Sequence, residues 1–232
     1  MAIDINPILE EIAKINRDLN HINHPVHQAL LTGKLSKGQF REFIAQYSCI
    51  PLYNHKHHGP IYVNCPSHKW RARLAEVVYE EGSGKLFADG VSHHELYLRL
   101  CEAVGINRKE IYNWPLCPEV VAYMAHAWGV SARSFLEGAT RSMLVGEAQV
   151  PGYAKKMAEA FQRHYGLTAE QSIFWTVHEN ADEDHSGVGR ELLGDFVHTE
   201  ADRELVLRTA RQSAEIQWMM LDGIERRLST IT

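Results

Sequence analysis

His178, Asp182 and His185 recur at i, i+4 and i+7 within Trp175-Thr-Val-His-Glu-Asn-Ala-Asp-Glu-Asp-His-Ser186. At about 100° per residue these offsets place all three side chains on one face of an α-helix. Phe174, Val177 and Ala181 lie on or beside the same stripe, so a core-facing surface turns polar and the three groups point inward. Glu179, Glu183 and Asp184 fall on other faces and read as solvated charge. The trio fits two readings: hydrogen-bonded core histidines with an Asp between them, or the two-His, one-carboxylate ligand set of non-haem iron. What decides between them is whether other segments bring carboxylate or imidazole to the same place.

The same three-and-four spacing runs along most of the chain and predicts helices. Ile8, Ile12, Ile15 and Leu19 mark the first, with Asn6 as cap. A short helix over Val26–Leu31 follows the His24-Pro25 turn. Ser36 caps a helix with Phe40, Phe43, Ile44 and Tyr47 inward, predicted to run on, kinked at Pro51, toward His55–His58. His55, His57 and His58 approach the Gly59-Pro60 interruption and bring no carboxylate. The next helix, His68 to about Glu81, has Leu74, Val77 and Val78 as its buried face; Glu81 continues that stripe and Glu80 sits to its side. The glycine-rich loop 82–90 matches no phosphate-binding motif.

From Ser92 a further helix places His93 in line with Leu96, Leu100 and Val104, with His94 off the stripe. Glu119–Trp128 is another. Ser131 is read as the cap of a helix whose face is Phe135, Leu136, Ala139, Met143 and Glu147, again an apolar stripe ending in a carboxylate. Gly152–His164 precedes the helix of the trio, and Thr199 starts a long amphipathic helix to about Leu228. No strand-rich stretch or repeat interrupts this pattern. The expected fold class is all-α, a single helical domain over residues 1–232.

Composition narrows the partners. A formal charge of −5 without a basic run gives no footprint for nucleic acid or an anionic membrane. No stretch approaches the ~18 apolar residues of a membrane span. Cys49, Cys65, Cys101 and Cys117 are scattered, which argues against a zinc knuckle or disulfide scaffold and for a reducing, cytoplasmic setting. The expected partner is a small-molecule substrate, with a homodimer as an option.

Six inward groups from separate segments therefore stand out: Glu81, His93, Glu147, His178, Asp182 and His185. Three imidazoles and three carboxylates could hold two divalent metals with mixed N/O coordination. Zinc-protease spacing is absent, as are the paired Glu-x-x-His motifs of ferritin-type bundles. A Cys49 nucleophile is a weaker alternative.

Glu81 with Gly84, His93-x-x-Leu-Tyr97 leading to Ala103-Val-Gly105, Glu147-x-x-Val-Pro151 and His178-x-x-x-Asp182-x-x-His185 together resemble the haem-oxygenase-like di-iron oxidase and oxygenase family. That family belongs to the wider group containing thiaminase II, pyrroloquinoline-quinone synthase and the chlamydial protein associating with death domains. The resemblance starts at His24-Pro25 and covers nearly the whole chain. It implies a bundle of about seven helices, no haem, and two irons, or iron with manganese, held by the six residues. It further implies O2-dependent oxidation of a small organic acid or amine. There are two departures: a longer loop between Glu81 and His93, and His27 where the chlamydial branch has a tyrosine, which argues against tyrosine-derived p-aminobenzoate formation. The runner-up is a cofactor-free oxidase or ring-closing enzyme using Glu81, His93, His178 and His185 as acid/base groups. An interaction protein that merely keeps the fold is a third reading.

Overall fold

Helix caps and apolar stripes set the order of elements in the computed structural model, which describes residues 3–150, 152–181 and 185–231, with backbone alone for 180, 181 and 185–187. The α-helical segments are α1 (Asn6–Asp18), α2 (Pro25–Leu31), α3 (Lys37–Tyr47), α4 (His55–Asn64), α5 (His68–Ser83), α6 (His93–Ala103), α7 (Pro118–Arg133), α8 (Phe135–Ala139), α9 (Tyr153–Tyr165), α10 (Ile173–Ala181), α11 (His185–Phe196) and α12 (Glu200–Leu228). A π-helical turn, Thr140–Gly146, continues α8. The fold is all-α, and the described residues hold more segments than the expected seven, because several long helices are broken.

Two capping boxes start helices where the sequence places them. Ser36 Oγ accepts from the Gln39 N–H while the Gln39 side chain accepts from the Ser36 N–H, and Thr199 and Asp202 do the same for α12. Each such cap stabilises its helix by about 1 kcal/mol.

Elsewhere the boundaries differ. α3 does not run on to His58; it stops at Tyr47, a 3-10 turn spans Pro51–Tyr53, and α4 begins anew and passes through Gly59-Pro60. Packing overrides the local breaker there: α4 lies against α5 and α7, and Asn64 Nδ2 donates to the carbonyls of Ser131 and Ala132. Ser131 is therefore no cap but a buried residue inside α7. Ser134 is the cap of α8, accepting from the Glu137 N–H at 3.2 Å.

The buried apolar residues form two clusters. One gathers Phe43, Tyr97, Val120, Phe161 and Trp175 from α3, α6, α7, α9 and α10. The other gathers Ile8, Ile12, Trp70, Leu74 and Leu192 from α1, α5 and α11. α12 serves both: Val206, Ala210 and Ala214 belong to the second cluster, Met220, Leu221 and Ile224 to the first. The changeover falls at Gln217, a buried amide. Trp70 ties α5 to α11 by donating from Nε1 to Asp195 Oδ2 at 2.7 Å.

Candidate metal centre and its cavity

A cavity of about 410 Å³ lies where the two clusters meet, bordered by Tyr47, Tyr153 and Trp175 of one and Trp70 of the other. Its polar residues include Glu80, Glu81, His93, Glu147 and His178. Glu81, His93 and His178, from α5, α6 and α10, offer ligand atoms that all lie within 4.8 Å of one another.

The end of α5 explains the carboxylate pair. Trp70, Leu74 and Val77 turn inward, while Val78 and Tyr79 are exposed, contrary to the expected burial of Val78. Both Glu80 and Glu81 then face the site, Glu80 the more deeply. Gly84 closes the helix in the left-handed region at φ 64°, and a Cβ there would sit 1.9 Å from the Val91 carbonyl oxygen. This close turn folds the loop back, so that the N–H groups of Leu86 and Phe87 donate to Glu80 at 2.6 and 3.1 Å.

His93 lies between the two carboxylates. A carboxylate can only accept, so Nε2 donates to Glu80 Oε1 at 3.2 Å. Nδ1 lies 3.2 Å from Glu81 Oε1 but out of hydrogen-bond alignment, and it is buried with no hydrogen-bond partner. His178 has the opposite arrangement: Nδ1 donates to the Phe174 carbonyl at 2.7 Å, which leaves Nε2 as the nitrogen bearing the lone pair. The two rings are 4.6 Å apart. Each imidazole is thus held by an outer partner in the tautomer a metal ligand needs. Burial and the donor set together fit a divalent metal with N/O preference.

In the metal-free chain the neighbouring carboxylates favour a protonated His93, and a metal at Nδ1 would take the place of that proton. Burial would raise the Glu81 pKa, but His93, with His178 and His58 behind it, outweighs this and holds it down to about 2. Burial would lower the His93 pKa, yet Glu81 and Glu80 push it up. Asn54 Nδ2 donates to Glu81 Oε2.

Of the other expected ligands, Glu147 lines the same cavity just after the π turn and accepts from Ser142 Oγ at 2.8 Å. Asp182 lies outside the described residues, as does the side chain of His185. The expected single helix through the trio is described as α10 ending at Ala181 and α11 starting at His185. Glu179 is not a solvated bystander: its carboxylate accepts from the N–H groups of Gly152 and Lys155 at about 3 Å and caps α9. Glu183 and Asp184 lie outside the described residues.

His57 and His58 are buried and border the cavity. Cys49 is buried with its thiol pKa pushed far up by burial, the reverse of what a nucleophile needs. His27 donates from Nδ1 to the His21 carbonyl and accepts the Tyr153 hydroxyl proton at 2.9 Å, and burial lowers its pKa to about 3.

Imidazole and carboxylate converging on one cavity of an all-α fold form a donor set that could hold a metal. Residues 41–218 match the model of a family described as iron-containing redox enzyme, and this chain belongs to that family. It is 22% identical to the 4-aminobenzoate synthase of Nitrosomonas europaea over 94% of this chain and 91% of the relative. It is 25% identical to the pyrroloquinoline-quinone synthase of Ectopseudomonas mendocina, over 93% and 85%. Its fold matches a haem-oxygenase-like domain of unknown function from Shewanella denitrificans, with a TM-score of 0.76 at 18% identity over 98% and 94% of the two chains. A TenA homologue from Pseudomonas syringae pv. tomato matches with a TM-score of 0.76 at 11% identity, over 95% and 91%.

Proposed function

We propose that this protein is a non-haem di-iron, or iron–manganese, oxidase or oxygenase that uses O2 to oxidise a small organic acid or amine. The observation that carries this reading is the convergence of buried His93 and half-buried His178 with Glu81, their ligand atoms all within 4.8 Å of one another and the two rings held from behind by Glu80 and the Phe174 carbonyl. A locked imidazole also suits acid/base work, so what favours a metal is the third donor, Glu81, whose ligand oxygen lies within 4.8 Å of both rings' ligand nitrogens. Glu147, Asp182 and His185 complete the proposed ligand set.

Metal bound there would supply the electrons and the binding site for O2. The remaining work falls to the chain. Glu80 holds the proton on His93 Nε2, so the facing nitrogen stays available. Asn54 and Ser142 orient the carboxylates of Glu81 and Glu147. Phe174 and Trp175 beside His178 restrict water, which favours oxidation of C–H or N–H bonds over hydrolysis. Metal analysis of protein from iron-supplemented cells should find close to two metals per chain, with O2 uptake only in the loaded, reduced protein. Full turnover by metal-free protein would sink the proposal and favour the cofactor-free alternative.

A further inference from the structure

Arg141 is the counter-example to everything around the proposed metal ligands. It is 5% exposed, borders the cavity, and among the described residues its hydrogen-bond partner is the Tyr123 hydroxyl, over whose ring its guanidinium also sits at 5.4 Å. No carboxylate of the described residues pairs with it, and the neighbouring candidates are engaged elsewhere. Glu137 holds Arg133 at 3.0 Å, Glu119 holds Arg226, and Glu147 accepts from Ser142. A guanidinium has five N–H donors and a permanent charge, so burying it with one neutral partner is costly unless an anion completes the site. The charge is felt widely: it is among the causes that lower the pKa values of His21, His57 and His126.

The π turn explains how it got there. Its wider winding puts Arg141 and Ser142 both inside, one toward Tyr123 and the other toward Glu147. The anchor and the proposed metal ligand are thus set by consecutive residues. Trp175 and His21 line the same cavity, and Trp175 Nε1 and His21 Nε2 are buried without hydrogen-bond partners. Tyr123, having accepted from Arg141, keeps its own O–H to give.

We propose that Arg141, with Tyr123, is the binding site for the substrate's carboxylate, so that the cavity takes a small organic acid with an apolar body rather than an amine that lacks a carboxylate. This rests on the reading of the cavity as the site of reaction. Tyr47, Tyr153 and Trp175 supply apolar walls for the body, and the volume is that of a small-molecule pocket.

The test compares benzoate, phenylacetate, 3-phenylpropionate and hexanoate with their carboxamides, by tryptophan fluorescence and calorimetry, on the iron-loaded and iron-stripped 232-residue chain. At least one acid should bind about 10- to 100-fold tighter than its amide in both forms, the range of a charge-assisted hydrogen bond. Arg141→Gln should bring that ratio to within about twofold while bound iron and helicity stay unchanged. No acid preference in the unaltered protein, or a preference that survives Arg141→Gln, overturns the proposal. If Arg141→Gln does not fold, Arg141→Lys replaces it: loss of the two-point fork should cut the ratio about fivefold or more, and an unchanged ratio overturns the assignment. Iron content is read separately. A protein that prefers acids but holds no iron sinks the metal reading alone; one that holds iron without acid preference sinks the anchor alone.

Discussion

His93 and His21 border the same cavity, are both buried, and are driven in opposite directions. Two carboxylates beside His93 outweigh burial and favour its charged form. His21 has a glutamine for a neighbour and Arg141 nearby, and burial lowers its pKa to about 4. One side of the cavity therefore gathers negative charge that awaits a cation; the other keeps its histidines neutral around a cation that awaits an anion. Burial alone does not make a site, since the same low-dielectric setting yields opposite behaviour according to which charges share it.

The strongest way to break this comparison is to remove a nitrogen from the negative side. His93→Ala or His178→Ala should abolish stoichiometric iron, as measured by metal analysis, with far-UV circular dichroism unchanged. Iron retained by both variants would refute the centre.

Acid should act mainly on the other side. For His21 and His27 the folded pKa is below the unfolded value of 6.5, so the unfolded chain binds more protons, and stability is full above pH 6.5 and falls as the pH drops toward 4 and 3. His21 alone would contribute a loss of about 3 kcal/mol over that range. Glu81, depressed to about 2, contributes stability above pH 4.5 that is lost only on falling toward 2, so the window from 6.5 to 4.5 reports the neutral histidines. Thermal melts of iron-free protein should show a falling Tm across that window, shallower in His27→Gln. An equally steep fall in that variant would show that other groups set the acid limit.

Glu80→Gln tests the support behind His93. Losing the carboxylate weakens the hold on Nε2–H, and iron affinity should drop about 10-fold by competition with a chelator. The smallest effect belongs to Glu179→Ala, which removes the cap of α9 and should cost about 1 kcal/mol in denaturant melts with iron unchanged. An iron loss there as large as in Glu80→Gln would move Glu179 into the centre.

The sequence makes the helices legible because the apolar spacing and the caps at Ser36 and Thr199 are local signals. His93 and Glu81 can be found for the same reason, each extending an apolar stripe. Glu80 is missed as an inward group because a helix end followed by a glycine loop allows two adjacent residues to face in, and the loop N–H groups that hold it are distant partners. Ser134-x-x-Glu137 has the spacing of a capping box, yet Ser131 competes for the role until packing against α4 buries it. Arg141 is hidden by arithmetic: regular 100° steps place Met143 and Glu147 on the core face, and a π turn shifts that register without a sequence signal of its own.

The span of α12 across both apolar clusters has a consequence for synthesis. Neither cluster is complete without residues 206–224, yet every proposed iron ligand precedes them in the chain. A ribosome that has made Glu81, His93, Glu147 and His178 has made donors without a vessel. Iron captured early would meet a loose, solvated set of ligands, and a closed site arises only when the late helix threads between the two halves and locks them. On the proposed reading, metal loading would follow translation, once α12 has emerged.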